Sequence, residues 1–68
     1  MEHVLSNFGK NMKRALVDKG MKQCELADAV GLSYHTISKL ARGEQTPGAE
    51  TLIKIADALG VTVDSLVK

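Results

Sequence analysis

The stretch from Gln23 to Arg42, QCELADAVGLSYHTISKLAR, constrains the fold of this chain more than any other. Apolar side chains fall at Leu26, Val30, Leu32, Ile37 and Leu40, and small Ala27 directly follows the first of them. The spacings of Leu26 to Val30 and of Ile37 to Leu40 are those that put two side chains on one helix face. Gly31 lies between the two sets, and glycine enters the left-handed backbone region at little cost, so the first helix ends there and the chain turns sharply. Ser33 follows, with a hydroxyl able to accept from a free backbone N–H at the start of a second helix. The pattern predicts helices over about 23–30 and 34–41 joined by a tight turn, with Ala27 small enough to let the second pass close to the first. Leu32, Ile37 and Leu40 then point inward, which leaves Tyr34, His35, Ser38 and Lys39 on or near the exposed side.

The flanking segments obey the same period. From about His3 to Lys19, Val4, Phe8, Met12 and Leu16 recur every fourth residue, flanked by Leu5 and Ala15, and Gly20 ends the run. Ser6 and Asn7 are both able to cap this helix, yet Val4 and Leu5 already fit its apolar stripe, so its start stays open at this level. Helix two has Lys22 at its N-cap, a poor chemical choice. A Met21–Leu26 staple and Glu25 in the first turn compensate in part. The segment Gly43 to Gly48, GEQTPG, reads as a loop. A fourth helix, about 49–59, sets Leu52, Ile55, Ala56 and Leu59 on one face with Ile53 beside them, between Gly48 and Gly60. Thr62 then caps a last turn or two carrying Val63, Leu66 and Val67. No strand pattern, repeat or low-complexity tract appears, and the expected fold is all-α: a compact five-helix domain filling residues 1–68.

Length and charge narrow the function. A chain of 68 residues holds one small domain, and its single cysteine, Cys24, excludes an internal disulfide. His3 and His35 lie far apart and away from Cys24, so neither a metal site nor any other cofactor is expected. No apolar run reaches membrane-span length and the N-terminus lacks a signal-peptide pattern, so no membrane partner is expected and a cytoplasmic location is. Net charge is only +1, but residues 1–45 hold seven Lys or Arg against five Asp or Glu, whereas 46–68 hold two against three. The small basic excess therefore lies in the part of the chain that holds helix three, not in the last third.

A turn glycine, a small residue and five apolar positions in one register are the spacing of a DNA-binding helix-turn-helix, here 23–42. Over nearly its whole length, Phe8 to Leu66, the chain resembles the Cro/C1-type (XRE, phage-repressor-like) helix-turn-helix family. The matching residues are Gln23, Glu25, Leu26, Ala27, Gly31, Ser33, Thr36, Ile37, Ser38, Arg42, Gly43 and Pro47, then ETLIKIADALGV from Glu50 to Val61, Asp64 and Leu66. The resemblance implies a lambda-repressor-like fold and a sequence-specific, mostly dimeric transcriptional regulator, usually a repressor, that binds operator DNA. Residue by residue, it implies base-edge contacts in the major groove from Tyr34, His35, Ser38 and Lys39. It implies phosphate contacts from Gln23, at the start of helix two, and from Arg42, Gln45 and Thr46. The family often pairs an arginine late in helix one with a glutamate ending helix three; Leu16 and Ala41 stand at those positions, and a packed apolar contact is expected instead.

Val61, Val63, Leu66 and Val67 either cap the core or form a two-fold interface. One reading helix touches few base pairs, so a homodimer through helix five and the preceding loop is expected, with no separate dimerisation or effector domain after Lys68. The competing class is a protein-interaction module, such as an antitoxin, whose main partner is a protein (a toxin or an anti-repressor). An enzyme has nothing in its favour: no paired carboxylates, no nucleophile–base pair and no phosphate loop. Cys24 as a redox sensor and His35 as a ligand or base are weaker readings than an inert surface thiol and a polar surface ring. Lysine at position 39 can donate to guanine, while Tyr34, His35 and Ser38 are adaptable, so the sequence names no base.

Overall fold

The computed structural model of the chain describes residues 7–68. Five helices follow one another: α1 Phe8–Lys19, α2 Gln23–Val30, α3 Tyr34–Ala41, α4 Ala49–Leu59 and α5 Val63–Val67. There is no strand among the described residues. The suggested extension of the first helix to His3, Val4 and Leu5, and the suggested cap at Ser6, lie outside them. The other suggested cap, Asn7, occupies the N-cap of α1 but makes no side-chain capping bond; its amide reaches across to the Lys68 carbonyl instead, at 3.3 Å.

The helix ends follow from local chemistry. At Gly31 the backbone turns left-handed, with φ at +75°. Leu32 N–H then reaches back to the Ala27 carbonyl at 2.9 Å. Together with the Gly31 N–H, which donates to the Asp28 carbonyl at 3.4 Å, it closes the open carbonyl end of α2 and sets the direction of the chain into α3. Gly20, Gly43 and Gly60 end α1, α3 and α4 in the same way. At the other ends, Ser33 and Thr62 each accept a backbone N–H, from Thr36 and Ser65, both at 3.1 Å. Lys22 has no acceptor atom, so α2 keeps only half of a capping box: the Lys22 N–H donates to Glu25 Oε1 at 2.8 Å.

One core joins all five helices. Phe8, Met12 and Leu16 from α1 meet Leu26, Ala27 and Val30 from α2, Ile37, Leu40 and Ala41 from α3, Ile55, Ala56 and Leu59 from α4, and Leu66 from α5. Leu16 and Ala41, expected as an apolar pair, are both buried in it. Leu32 and Leu52 pack against it from its margin. Ile53 does not join them. It is 59% exposed and stands outside the apolar stripe of α4, which corrects the expectation that it lies beside that face. Helix α1 packs on both α3 and α5, while α2 lies between α3 and α4. Helix α3 is thus gripped along one side and free along the other.

Candidate nucleic-acid interface

Helix α3 is held at both ends. Ser33 Oγ accepts from the Thr36 N–H and lies 3.0 Å from the Thr36 hydroxyl, which fixes the first turn. Ile37, Leu40 and Ala41 are buried and anchor the inner side. With that side fixed, the outer side is determined: Tyr34, Ser38 and Arg42 form one row at four-residue spacing, and His35 and Lys39 form the next. Tyr34 is 58% exposed and His35 is exposed, while Ser38 and Lys39 are half-buried. All four residues suggested as base contacts therefore share one helix side.

The row ends in a hydrogen-bonded group of three residues. Arg42 Nε donates to Glu44 Oε2 at 2.8 Å and Nη2 to Glu44 Oε1 at 3.3 Å. Its remaining terminal nitrogen, Nη1, donates to Ser38 Oγ at 2.7 Å. The planar guanidinium fits both partners at once, as lysine would not. The hydrogen bond from Arg42, and then its charge, hold the Glu44 carboxyl below the usual glutamate range, with Lys39 and His35 adding smaller attractions. The same hydrogen bond and charge raise Arg42. Glu44 thus lies within reach of the field of every cation on this side of α3. In the sequence Ser38 and Arg42 stand out as single contacts, whereas Glu44 enters only as a charge and as part of the 43–46 loop that the family resemblance places near phosphates. Its signal was the Arg-Gly-Glu triplet, in which a left-handed glycine swings the carboxylate back over the helix end.

The suggested phosphate contacts are less closely grouped. Gln45 and Thr46 are exposed in the loop after α3. Gln23 is half-buried in the first turn of α2, beside Lys13, Val17 and Met21 around a shallow hollow. Of the suggested dimer contacts, Leu66 is corrected: at 1% exposure it is a core residue and has no surface to offer a partner. Val61, Val63 and Val67 remain half-exposed. Asn11, which the sequence did not single out, donates to the Leu66 carbonyl at 2.9 Å and ties α1 to the end of α5. Cys24 is an exposed thiol. No helix among the described residues is long and apolar enough to cross a membrane.

The arrangement presents hydroxyls, an imidazole, an ammonium and a guanidinium along a helix narrow enough for the major groove. Comparison with known proteins identifies the family. A helix-turn-helix family model matches residues 12–66. The chain is 34% identical over 61 residues to the prophage-derived HTH-type transcriptional regulator YonR of Bacillus subtilis, covering 90% of this chain and 56% of YonR. It is 43% identical over 44 residues to the phage transcriptional repressor RstR of Vibrio cholerae, covering 65% of this chain and 39% of RstR. Among solved structures, the clp gene regulator ClgR of Corynebacterium glutamicum superposes with a TM-score of 0.89 at 29% identity, over 96% of this chain and 69% of that one. The chain thus spans about half the length of the curated relatives it matches.

Proposed function

Because the chain belongs to the helix-turn-helix family, of the Cro/C1 (XRE) type, we propose that it is a sequence-specific DNA-binding regulator of transcription acting as a repressor in the cytoplasm. The observation that carries this reading is the outer side of α3, where Tyr34, His35, Ser38 and Lys39 are presented by a helix capped at Ser33 and anchored by Ile37 and Leu40. In this reading α3 enters the major groove and these four side chains meet base edges. Arg42, Gln45 and Thr46 meet phosphates beyond the end of α3, and Gln23 meets one at the start of α2. The half-exposed Val61, Val63 and Val67 form the contact between two copies, whose reading helices then lie about one DNA turn (~34 Å) apart on a palindromic operator.

Selection of bound sequences from a random duplex pool at physiological salt tests the whole reading. An enriched inverted repeat with half-sites one turn apart is the expected result. A folded protein that enriches no sequence would overturn it and turn attention to a protein partner.

A further inference from the structure

Glu44 is an acidic side chain in a place where DNA binding alone calls for none. It sits at the end of α3, in the field of Arg42, Lys39 and His35, where its charge opposes the approach of phosphates. It nevertheless engages Arg42 through both carboxylate oxygens, and the same guanidinium reaches Ser38 Oγ at 2.7 Å. We propose that Glu44 is a specificity-determining positioning residue: it fixes Arg42 so that Arg42 in turn fixes Ser38 as an outward hydrogen-bond donor toward the bases. This rests on the reading of α3 as the helix that enters the groove.

The donor and acceptor inventory carries the argument. A serine hydroxyl is ordinarily ambiguous, able to donate or accept, and so reads bases poorly. Here an N–H of Arg42 takes one of the two lone pairs of the hydroxyl oxygen, and its positive charge disfavours a second donor on that oxygen, so the hydroxyl's own proton is what remains to be given elsewhere. A charged donor on the oxygen also makes that proton the better hydrogen-bond donor. Ser38 so held favours a base that offers an acceptor in the major groove: guanine O6 or N7, adenine N7 or thymine O4. It disfavours cytosine, whose major-groove edge offers the N4 amino donor. Arg42 spends three N–H groups on Glu44 and Ser38, and its remaining N–H groups stay free for a phosphate. One guanidinium therefore links a base-reading hydroxyl to the backbone. Without Glu44 the arginine is a mobile cation that swings to the nearest phosphate and releases Ser38.

Removing Glu44 then has two effects of opposite sign, which a merely structural role would not produce. In Glu44→Gln, loss of the repelling charge tightens binding to a random-sequence duplex by roughly 2–5-fold at low salt. At the same time, discrimination between the best site and that site with cytosine opposite Ser38 falls by about 5-fold or more. The experiment selects a preferred site with the wild-type chain, identifies the base position whose preference Ser38→Ala abolishes, and measures affinities there for wild type, Glu44→Gln and Glu44→Gln/Ser38→Ala. Tighter but less selective binding by Glu44→Gln, with no further loss of selectivity on adding Ser38→Ala, is the expected result. Unchanged selectivity in Glu44→Gln, or a loss that adds to that of Ser38→Ala, would overturn the positioning role while leaving α3 as the reading helix. Failure of the wild type to select any site would overturn both. Glu44 is exposed, and circular dichroism of each variant verifies that the fold is retained.

Discussion

Gly9 lies against the carbonyl end of α3: a Cβ built on it would stand 2.5 Å from the Ala41 carbonyl oxygen and 2.9 Å from that of Leu40. Those atoms are backbone and cannot rotate away, so a methyl group there must push α1 and α3 apart. Gly9 is the second residue of α1, where alanine would otherwise gain at most about 1 kcal/mol. Overpacking typically costs about 1–3 kcal/mol, and contacts this short with rigid backbone atoms belong to the upper half of that range, so Gly9→Ala is expected to lose about 1–2 kcal/mol net. Chemical denaturation measures it. A variant as stable as the parent would show that the two helices adjust freely, and that Gly9 does not set the seat of α3.

A gain is available at Lys22. Its backbone already has the extended conformation of an N-cap, and Glu25 already accepts from its N–H, so only the acceptor side chain is missing. Lys22→Ser completes the reciprocal pair and is expected to raise stability by about 0.5–1.5 kcal/mol. A rise in the thermal midpoint with unchanged helix content is the signature. No rise would mean that the lysine stem contributes packing that serine lacks.

How much of this could be read from the residues alone depends on how far each interaction reaches along the chain. Gly31, Ser33, Ile37 and Leu40 announce the turn and the buried side of α3 because a left-handed glycine, a capping hydroxyl and the helical period all act within a few residues. Ile53 fails the same test. It is adjacent to Leu52, a marginal member of the α4 stripe, and a one-residue step rotates it about 100° around the helix axis. A list of apolar residues cannot show which edge of a stripe still finds a neighbour. Leu66 was legible as an apolar anchor but not as core rather than interface, because that depends on where α5 docks on α1. The contacts of Gly9 with α3 and of Asn11 with the Leu66 carbonyl, 55 residues away, belong to tertiary structure altogether. Glu44 lies between these cases: local in sequence, but turned toward Arg42 only by the positive φ of Gly43.

The Arg42–Glu44 pair sets a direction for pH dependence. Glu44 is held below its ordinary value of 4.5 by the hydrogen bond and then the charge of Arg42. A carboxyl depressed in the folded state adds stability that is present above the unfolded value and is lost as pH falls through the folded one. The pair is therefore intact at neutral pH and opens only in acid below about pH 4.5. Both side chains are exposed, so the effect on global stability is small. A carboxyl-detected NMR titration is expected to place the Glu44 midpoint under 4.5, and Arg42→Ala to move it upward. A midpoint that ignores the arginine substitution would mean that the two do not pair in solution.

In the proposed reading Lys39 and Arg42 give different things to DNA binding, and salt is expected to separate them. Counterion release makes the logarithm of affinity fall linearly with the logarithm of salt concentration, and each lost phosphate contact lowers the slope by about 1. Arg42→Ala is expected to weaken binding to every duplex and to lower that slope, because Arg42 stands beyond the end of α3 with N–H groups left for a phosphate. It also releases Ser38 and so reduces selectivity at one position. Lys39 lies within α3, beside His35 on the exposed side, where its ammonium can reach guanine O6 or N7. Lys39→Ala is expected to cost about 1–3 kcal/mol on the preferred site and much less on random sequence. Affinities measured for both variants on both duplexes across a salt series distinguish the roles. Equal losses on specific and random DNA for Lys39→Ala would assign it to phosphate. If neither variant changed affinity for any duplex, α3 would not be the element that enters the groove.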